Sequence, residues 1–445
     1  MKTPTRKPLF AVRGAVADLD TREARILLDR GFTTDPLVRD RVSTILARVW
    51  EERDAALRAL ARELDGVDLD ELEVPRERCI RALAALDPEL RRVLRRAAEN
   101  ITRVHRAIPV VEMEVEPEPG IIIGRRPDPL ARVGVYAPGG RATYPSSVLM
   151  GAIPARVAGV REITLCSPPS RGTGLPSEIV LAAAALAGVD RVFALGGAGA
   201  IGAMAYGTES IARVDRIVGP GNAYVAEAKL QIRNTVATDS PAGPSELLII
   251  ADTSADPELV AREMLAQAEH DTDACVVCIM IDGAAPDVVE GTVRSRLVDQ
   301  ARAMIIASAL ATRGALLTAP TADEALAFAE RYAPEHLLLA VRDADALARR
   351  VRNAGTIFVG ASSSVTFGDY MTGANHVLPT GGLARCYSGL STLDFVRWTS
   401  YQRVTPAAAA RLADDVARFA ESERLTAHAD AARMWATPAN AEAMR

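Results

Sequence analysis

Apolar residues recur at helical spacing through the first hundred or so positions and then gather into short runs, and this change of period organises the sequence. Over 35–64, Val38, Val42, Ile45, Leu46 and Val49 mark one face of a long amphipathic helix whose other face alternates in charge. Further helices are predicted over 21–30, 76–86 and 88–106, the last with Leu90, Val93 and Leu94 turned inward; residues 1–30 read as an arm. From residue 132, apolar runs bounded by Gly or Pro alternate with helix-length segments, the βα rhythm of a parallel sheet. The predicted strands are 132–137, 162–167, 191–195, 216–218, 247–251, 275–281, 313–317, 336–340 and 356–359; the helices between them include 146–157, 176–187, 200–206 and 224–234. A Pro/Gly-rich turn at 241–245 divides these strands into two groups, so two sheets are expected. A last helix over 407–421 leads into a polar tail.

Composition narrows the function. A chain of 445 residues exceeds what one core ordinarily organises, and 49% hydrophobic with 24% charged residues is ordinary for a globular protein. The net charge of -5 argues against nucleic acid as a main partner, because phosphate binding needs a basic surface. MKTPTRKPLF lacks the apolar stretch of a signal peptide and no run is long enough to cross a bilayer, so a cytoplasmic protein with no membrane partner is expected. Five cysteines suit a reducing compartment, and the pair Cys275 and Cys278 reads as part of a buried strand, where residues three apart face opposite sides.

Histidine carries the chemical signal, because the chain has only five. His105 lies in an arginine-rich helical run and reads as solvated, whereas His270, His336, His376 and His428 each stand beside acids, amides or glycines. Over 256–270, Asp256 is a good N-cap and Pro257 fits the first turn, which puts Gln267 and His270 at i and i+3, able to share a ligand. Glu335-His336 sets a carboxylate beside an imidazole, as general acid/base work requires. Asp369 and His376 fall in a glycine-bearing stretch with almost no propensity for regular structure, and Glu423 and His428 lie five apart near the end. Glycine turns follow three strands of the first group, at 136–140, 197–202 and 218–222; the second reads G-x-G-x-x-G, where backbone N–H groups could approach a pyrophosphate. Its usual partner, an acid ending the next strand, is missing, since Asp215 begins that strand. Three such turns on one sheet predict a nucleotide cleft at its C-terminal edge.

The segments VGPGNAYVAEAK, AGPSE, QAEHD, YAPEHL, NAGTIF, GDYMTGANHVLPTGG and ERLTAH, in this order and spacing, resemble the histidinol dehydrogenase family from about residue 35 onward. The resemblance implies a homodimeric, zinc-dependent, NAD-linked enzyme that oxidises L-histidinol through L-histidinal to L-histidine, the last step of histidine biosynthesis. It implies an α/β fold of two incomplete Rossmann-like domains with parallel-rich sheets, a small N-terminal helical arm and a C-terminal helical tail. The layout would be an arm over 1–30, a discontinuous main domain over 31–135 and 246–390, an inserted NAD domain over 136–245, and a tail over 391–445 exchanged between subunits. One zinc per subunit would be held by Gln267, His270, Asp369 and His428, the last donated across the dimer; this nitrogen and oxygen set suits a catalytic zinc with open positions. His336 would be the general base, and Glu335 would activate water. Ser245, Gln267, His270, His336, Asp369, His376, His428 and the other subunit's copy of Glu423 would contact substrate; Tyr136, Gly199 and Asn222 would contact NAD. Gly199 stands where the family usually has glutamine, and Gly151 replaces a common asparagine. A paralogous zinc/NAD dehydrogenase acting on another small amino or sulfo alcohol would change the pocket around His376 and Glu423, which are intact here. A binding-only relative would have lost Glu335-His336.

Overall fold

The computed structural model describes residues 8–31, 35–139, 143–241 and 243–436, so Gly140 of the turn at 136–140 lies outside the described residues. One six-stranded sheet has the order β1 (Val12–Ala15), β12 (Gly314–Ala319), β11 (Cys275–Ile281), β10 (Glu246–Ala251), β13 (His336–Ala340) and β14 (Thr356–Val359), with every neighbouring pair parallel. Every residue of β11 is buried, as a parallel strand covered on both faces requires. Leu247, Ile249 and Cys278 pack on the side of α10 (Pro257–Ala268), α11 (Pro286–Leu297) and α12 (Ala303–Arg313). Leu248, Ile250 and Val277 pack on the side of α1 (Thr21–Leu28), α13 (Ala322–Tyr332) and α14 (Ala344–Ala348). Cys275 neighbours Tyr332 and Cys278 lies on the α10 side, so the two thiols do face apart, and burial pushes their pKa values up to about 11 and about 12.

The other six-stranded sheet runs β2 (Glu73–Val74), β7 (Arg191–Ala194), β6 (Glu162–Ser167), β5 (Arg132–Tyr136), β8 (Arg216–Val218) and β9 (Ala237–Thr238), parallel except for β2. Near it, α2 (Pro36–Glu52) packs on α8 (Gly197–Tyr206) and α9 (Ala223–Gln231), and α3 (Asp54–Leu60) on α8. Elsewhere α4 (Arg76–Ala85) packs on α7 (Glu178–Ala187), and α5 (Pro88–Arg106) and α7 pack on α6 (Pro145–Val157). Both sheets belong to one unit, residues up to Ala107 together with Leu130–Phe395. A second unit, Ile108–Pro129 with residues from Val396, holds an antiparallel sheet of β15 (Val396–Val404), β4 (Ile121–Pro129) and β3 (Met113–Glu118), and the paired helices α16 (Pro406–Ser422) and α17 (Thr426–Arg433). Among the described residues no helix is long and apolar enough to cross a membrane.

The nine expected strands stand within a residue or two of their places; the parallel strands β1 and β9 were not expected, and β9 and β10 flank the expected division at 241–245. Two expectations fail here. The helix expected over 35–64 breaks at Arg53, which takes φ 54° while its guanidinium donates to Gly207 O at 2.7 Å and lies over the Trp50 ring. His105 is 2% exposed, not solvated, and its backbone carbonyl accepts a hydrogen bond from Thr392 Oγ1. Within residues 8–31, β1 pairs with β12. β5 runs to Tyr136, and helices between 36 and 106 share the core of its sheet.

Candidate active site

Two central strands of the first sheet open on polar residues. Ser245 precedes β10 and Glu246 opens it, Glu335 precedes β13 and His336 opens it, and the parallel register sets Leu247 beside His336. These side chains therefore meet at the amino-terminal edge, opposite the edge at which open α/β sheets ordinarily bind ligands. The turn into β13 is tightly made. Ala333 caps α13 at φ 48° and ψ 67°, a left-handed conformation that costs a residue with a Cβ roughly 1 kcal/mol. Hydrogen bonds hold it: Gly355 N–H donates to Pro334 O and Thr356 N–H to Glu335 O, both at 2.9 Å. A Cβ on Gly355 would stand 2.5 Å from Glu335 O, so only glycine lets these chains approach.

Glu246 is a buried hub. One carboxylate oxygen pairs with the Arg30 guanidinium and accepts from Gly381 N–H at 2.8 Å; the other accepts from Glu335 N–H at 3.4 Å. Its backbone carbonyl lies 2.9 Å from His336 Nδ1. A carbonyl can only accept, so Nδ1 carries the proton and Nε2 keeps its lone pair. That Nε2 is buried without a hydrogen-bond partner among the described residues, 3.9 Å from Asp369 Oδ1. Burial holds the His336 pKa below its ordinary value although Asp369 and the Glu246 carbonyl pull upward. Glu335 Oε2 accepts from Ser245 Oγ and from Glu246 N–H, each at 2.7 Å, while burial raises its carboxyl pKa well above the usual range.

The candidate metal donors adjoin this pair. Gln267 Nε2 donates to Ser245 Oγ at 2.8 Å, so its amide oxygen has no donor among the described residues. α10 ends at Ala268, so His270 lies past the helix rather than on it as i+3; its N–H still reaches Gln267 O at 3.3 Å. Desolvation, then His336 and also His376, hold the His270 pKa below its ordinary value. Asp369 lies on a short helix, α15 (Val365–Tyr370), where a loop was expected, and burial raises its carboxyl pKa. His376 Nδ1–H donates to Asp369 O at 3.0 Å, and burial pushes its pKa down to about 4. The segment between them is clamped, since Asn100 Nδ2 donates to Met371 O at 2.8 Å and Asn375 Nδ2 to Met150 O at 2.9 Å. Glu423, the C-cap of α16, and His428, on α17, belong to the second unit and are exposed there. Among the described residues no three His, Cys, Asp or Glu side chains converge at metal-binding distance. The donors are still of the right kind: a neutral imidazole, a carboxylate and an unengaged amide oxygen fit zinc with positions left open.

A cleft of about 960 Å³ opens at the carboxyl edge of the second sheet, lined by Tyr136 at the end of β5, Ser167 on β6, Gly197 and Gly199 after β7, and Asn222 after β8. Tyr136 Oη accepts Gly197 N–H at 3.1 Å, and burial pushes its pKa up to about 12. Asn222 caps α9, its Oδ1 accepting from Tyr224 and Val225 N–H at 3.1 and 3.2 Å. Gly219, at φ 115°, is required because a Cβ there would lie 2.1 Å from Tyr136 O. At Gly199 a Cβ would meet Leu60 Cδ1 at 3.1 Å, so Leu60 crowds the space a larger side chain would enter.

The family model for histidinol dehydrogenase matches residues 29–435. The chain belongs to the histidinol dehydrogenase family. The histidinol dehydrogenase of Natronomonas pharaonis is 47% identical over 418 residues, which cover 94% of this chain and 97% of that protein. That of Methanosarcina mazei is 45% identical over 419 residues, 94% and 96% of the two chains. The crystal structure of histidinol dehydrogenase from Elizabethkingia anophelis superposes with a TM-score of 0.92 at 34% identity, over 98% of this chain and 99% of that one. Membership of the histidinol dehydrogenase family makes the chain an oxidoreductase acting on a CH–OH group. Sequence reasoning missed Arg30 and Glu246; the available signal was an acid opening the otherwise apolar run Leu247–Ile250.

Proposed function

We propose that the protein is an L-histidinol dehydrogenase, carrying out the NAD-linked oxidation of L-histidinol through L-histidinal to L-histidine, the final step of histidine biosynthesis. The observation that carries this reading is the buried lone pair of His336 Nε2, without a hydrogen-bond partner among the described residues and 3.9 Å from Asp369 Oδ1, on a ring whose Nδ1 lies 3.5 Å from the Glu335 carboxylate. NAD, bound in the cleft of the second sheet against Tyr136, Gly199 and Asn222, would accept the hydride at each of the two oxidations. Zinc, one per subunit, would be held by Gln267, His270 and Asp369 with the other subunit's copy of His428, and would supply a Lewis acid that orients the amino alcohol.

His336 Nε2 takes the hydroxyl proton as hydride leaves the carbon, giving aldehyde, reduced cofactor and a proton. In the second oxidation Glu335 removes a proton from the water that adds to the aldehyde. Its raised pKa makes it a stronger base once ionised. Ser245 couples the two halves, since its hydroxyl donates to Glu335 while accepting from Gln267. His376, its pKa pushed down to about 4 by burial, would contact the imidazole end of the substrate. Glu423 of the other copy would meet the ammonium group.

The test is NADH formation by purified, zinc-loaded protein with L-histidinol, with products identified. Two NADH per histidinol, histidine as product, and loss of activity on chelation with recovery on zinc are expected. Chains carrying His336→Asn and His428→Asn, mixed as dimers, should regain part of the activity if the tail is shared. No turnover with zinc bound would overturn the reading and favour the paralogue acting on another amino or sulfo alcohol.

A further inference from the structure

The cleft has the glycine turn of a dinucleotide site but lacks the acid that ordinarily ends the next strand and reads the ribose hydroxyls. Asp215 cannot serve: at the other end of β8, its carboxylate accepts the N–H groups of Ala131 and Arg132, both at 2.9 Å. Two other acids line the cleft, Glu63 and Asp65, both from the π-helical turn Ala61–Asp65 beside α8. Glu63 is held by Arg48 in a two-pronged contact at 2.9 and 3.1 Å, which occupies both its oxygens. Asp65 is fixed through its backbone, whose carbonyl accepts from Arg171 Nε at 3.0 Å, and no hydrogen bond reaches its carboxylate among the described residues. The carboxylate is partly buried near Tyr136, and burial raises its pKa. This half-buried carboxylate, beside the Arg171 cation, keeps acceptor positions open toward the cleft, which hydroxyl donors of a ligand would fill.

We propose that Asp65 is the specificity-determining residue for the cofactor: its carboxylate accepts the vicinal hydroxyls of the adenosine ribose and so selects NAD over its 2′-phosphorylated form. The acid supplied elsewhere by a strand end comes here from the helical layer covering the turn. A 2′-phosphate would bring like charge against Asp65 and remove one of the two donors it needs. The inference rests on reading this cleft as the NAD site.

The experiment uses the full-length, zinc-loaded protein and its Asp65→Asn and Asp65→Ser variants. Steady-state KM values for NAD, NADP and L-histidinol are measured, with calorimetric binding of ADP-ribose as a readout independent of turnover. In both variants KM for NAD and the Kd of ADP-ribose should rise about 10- to 100-fold, as loss of hydrogen bonds to a charged acceptor implies. The preference in kcat/KM for NAD over NADP should fall at least about tenfold, with KM for L-histidinol unchanged and the thermal midpoint nearly so, since among the described residues no hydrogen bond reaches the Asp65 side chain and its backbone contact with Arg171 is kept. If the wild type uses NAD and the variants keep its KM and ADP-ribose affinity within twofold, Asp65 is not the reader and the cleft assignment stands. If the wild type binds neither ADP-ribose nor NAD, the cleft assignment falls and takes this inference with it.

Discussion

Replacing Arg30 by methionine separates what holds the site from what does its chemistry. The Arg30 and Glu246 side chains are 3% and 2% exposed, so the pair lies out of reach of solvent screening. Arg30 also donates to Tyr332 O and stacks 3.4 Å above the Tyr332 ring. Methionine keeps the apolar stem and deletes the charge, leaving Glu246 as an uncompensated buried anion at a cost of about 3–5 kcal/mol. Loss of the cation–π contact adds about 1–2 kcal/mol, against a total stability of order 5–15 kcal/mol for a typical domain. Glu246 sets Glu335 N–H and His336 Nδ1, so kcat should fall as well, by roughly 100-fold for a shift near 1 Å. Urea unfolding and NADH formation measure the two effects. The double variant Arg30→Met/Glu246→Met should recover stability to within about 2 kcal/mol of wild type, because an apolar pair replaces a buried ionic one without an orphaned charge. It should not recover kcat, since Gly381 N–H and Glu335 N–H lose their acceptor. A single variant within about 1 kcal/mol of wild type, or a double variant with full kcat, refutes the account.

Gly355→Ala would put a Cβ 2.5 Å from Glu335 O, and backbone on that side cannot swing away as a side chain can. A loss of about 1–3 kcal/mol is expected from overpacking, with kcat lowered and KM for NAD unchanged; equal kcat in the variant would show that the turn does not set the catalytic pair. His376, with its pKa near 4 in the folded protein, gives a pH signature. In the unfolded chain it takes a proton near pH 6.5, so stability is full above that pH and declines as pH falls toward 4, by up to about 3 kcal/mol. Urea midpoints compared at pH 7 and 4.5 should fall less in His376→Asn than in wild type, and parallel declines would rule the contribution out.

The parallel strands were legible because a strand buried on both faces writes its burial into consecutive residues, as in CVVCIMI of β11. The antiparallel sheet was not, although β3 alternates Met113 and Val115 with Glu114 and Glu116. All its residues are exposed, and the β4–β15 ladder brings Asp128 to Thr399 across 271 positions. His105 was misread from its arginine neighbours, yet it continues the buried stripe of Leu94, Ala98 and Ile101 at helical spacing. The side chains proposed as catalytic were singled out by scarcity and local motif. Arg30 and Glu246 did not, because each looks ordinary until the other stands beside it.

The hub around Glu246 also bears on how the protein comes into being. Arg30 reaches Tyr332 over 302 residues, Glu246 reaches Gly381 over 135, and Glu335 reaches Glu246 over 89. Contacts so distant along the chain close only after large entropy losses, so they reward folding late and cannot nucleate it. On the ribosome, helices near the start can pack long before this hub has its last member, which is in place only once synthesis has passed Gly381. Selection on early folding steps therefore acts on residues different from those under selection for chemistry.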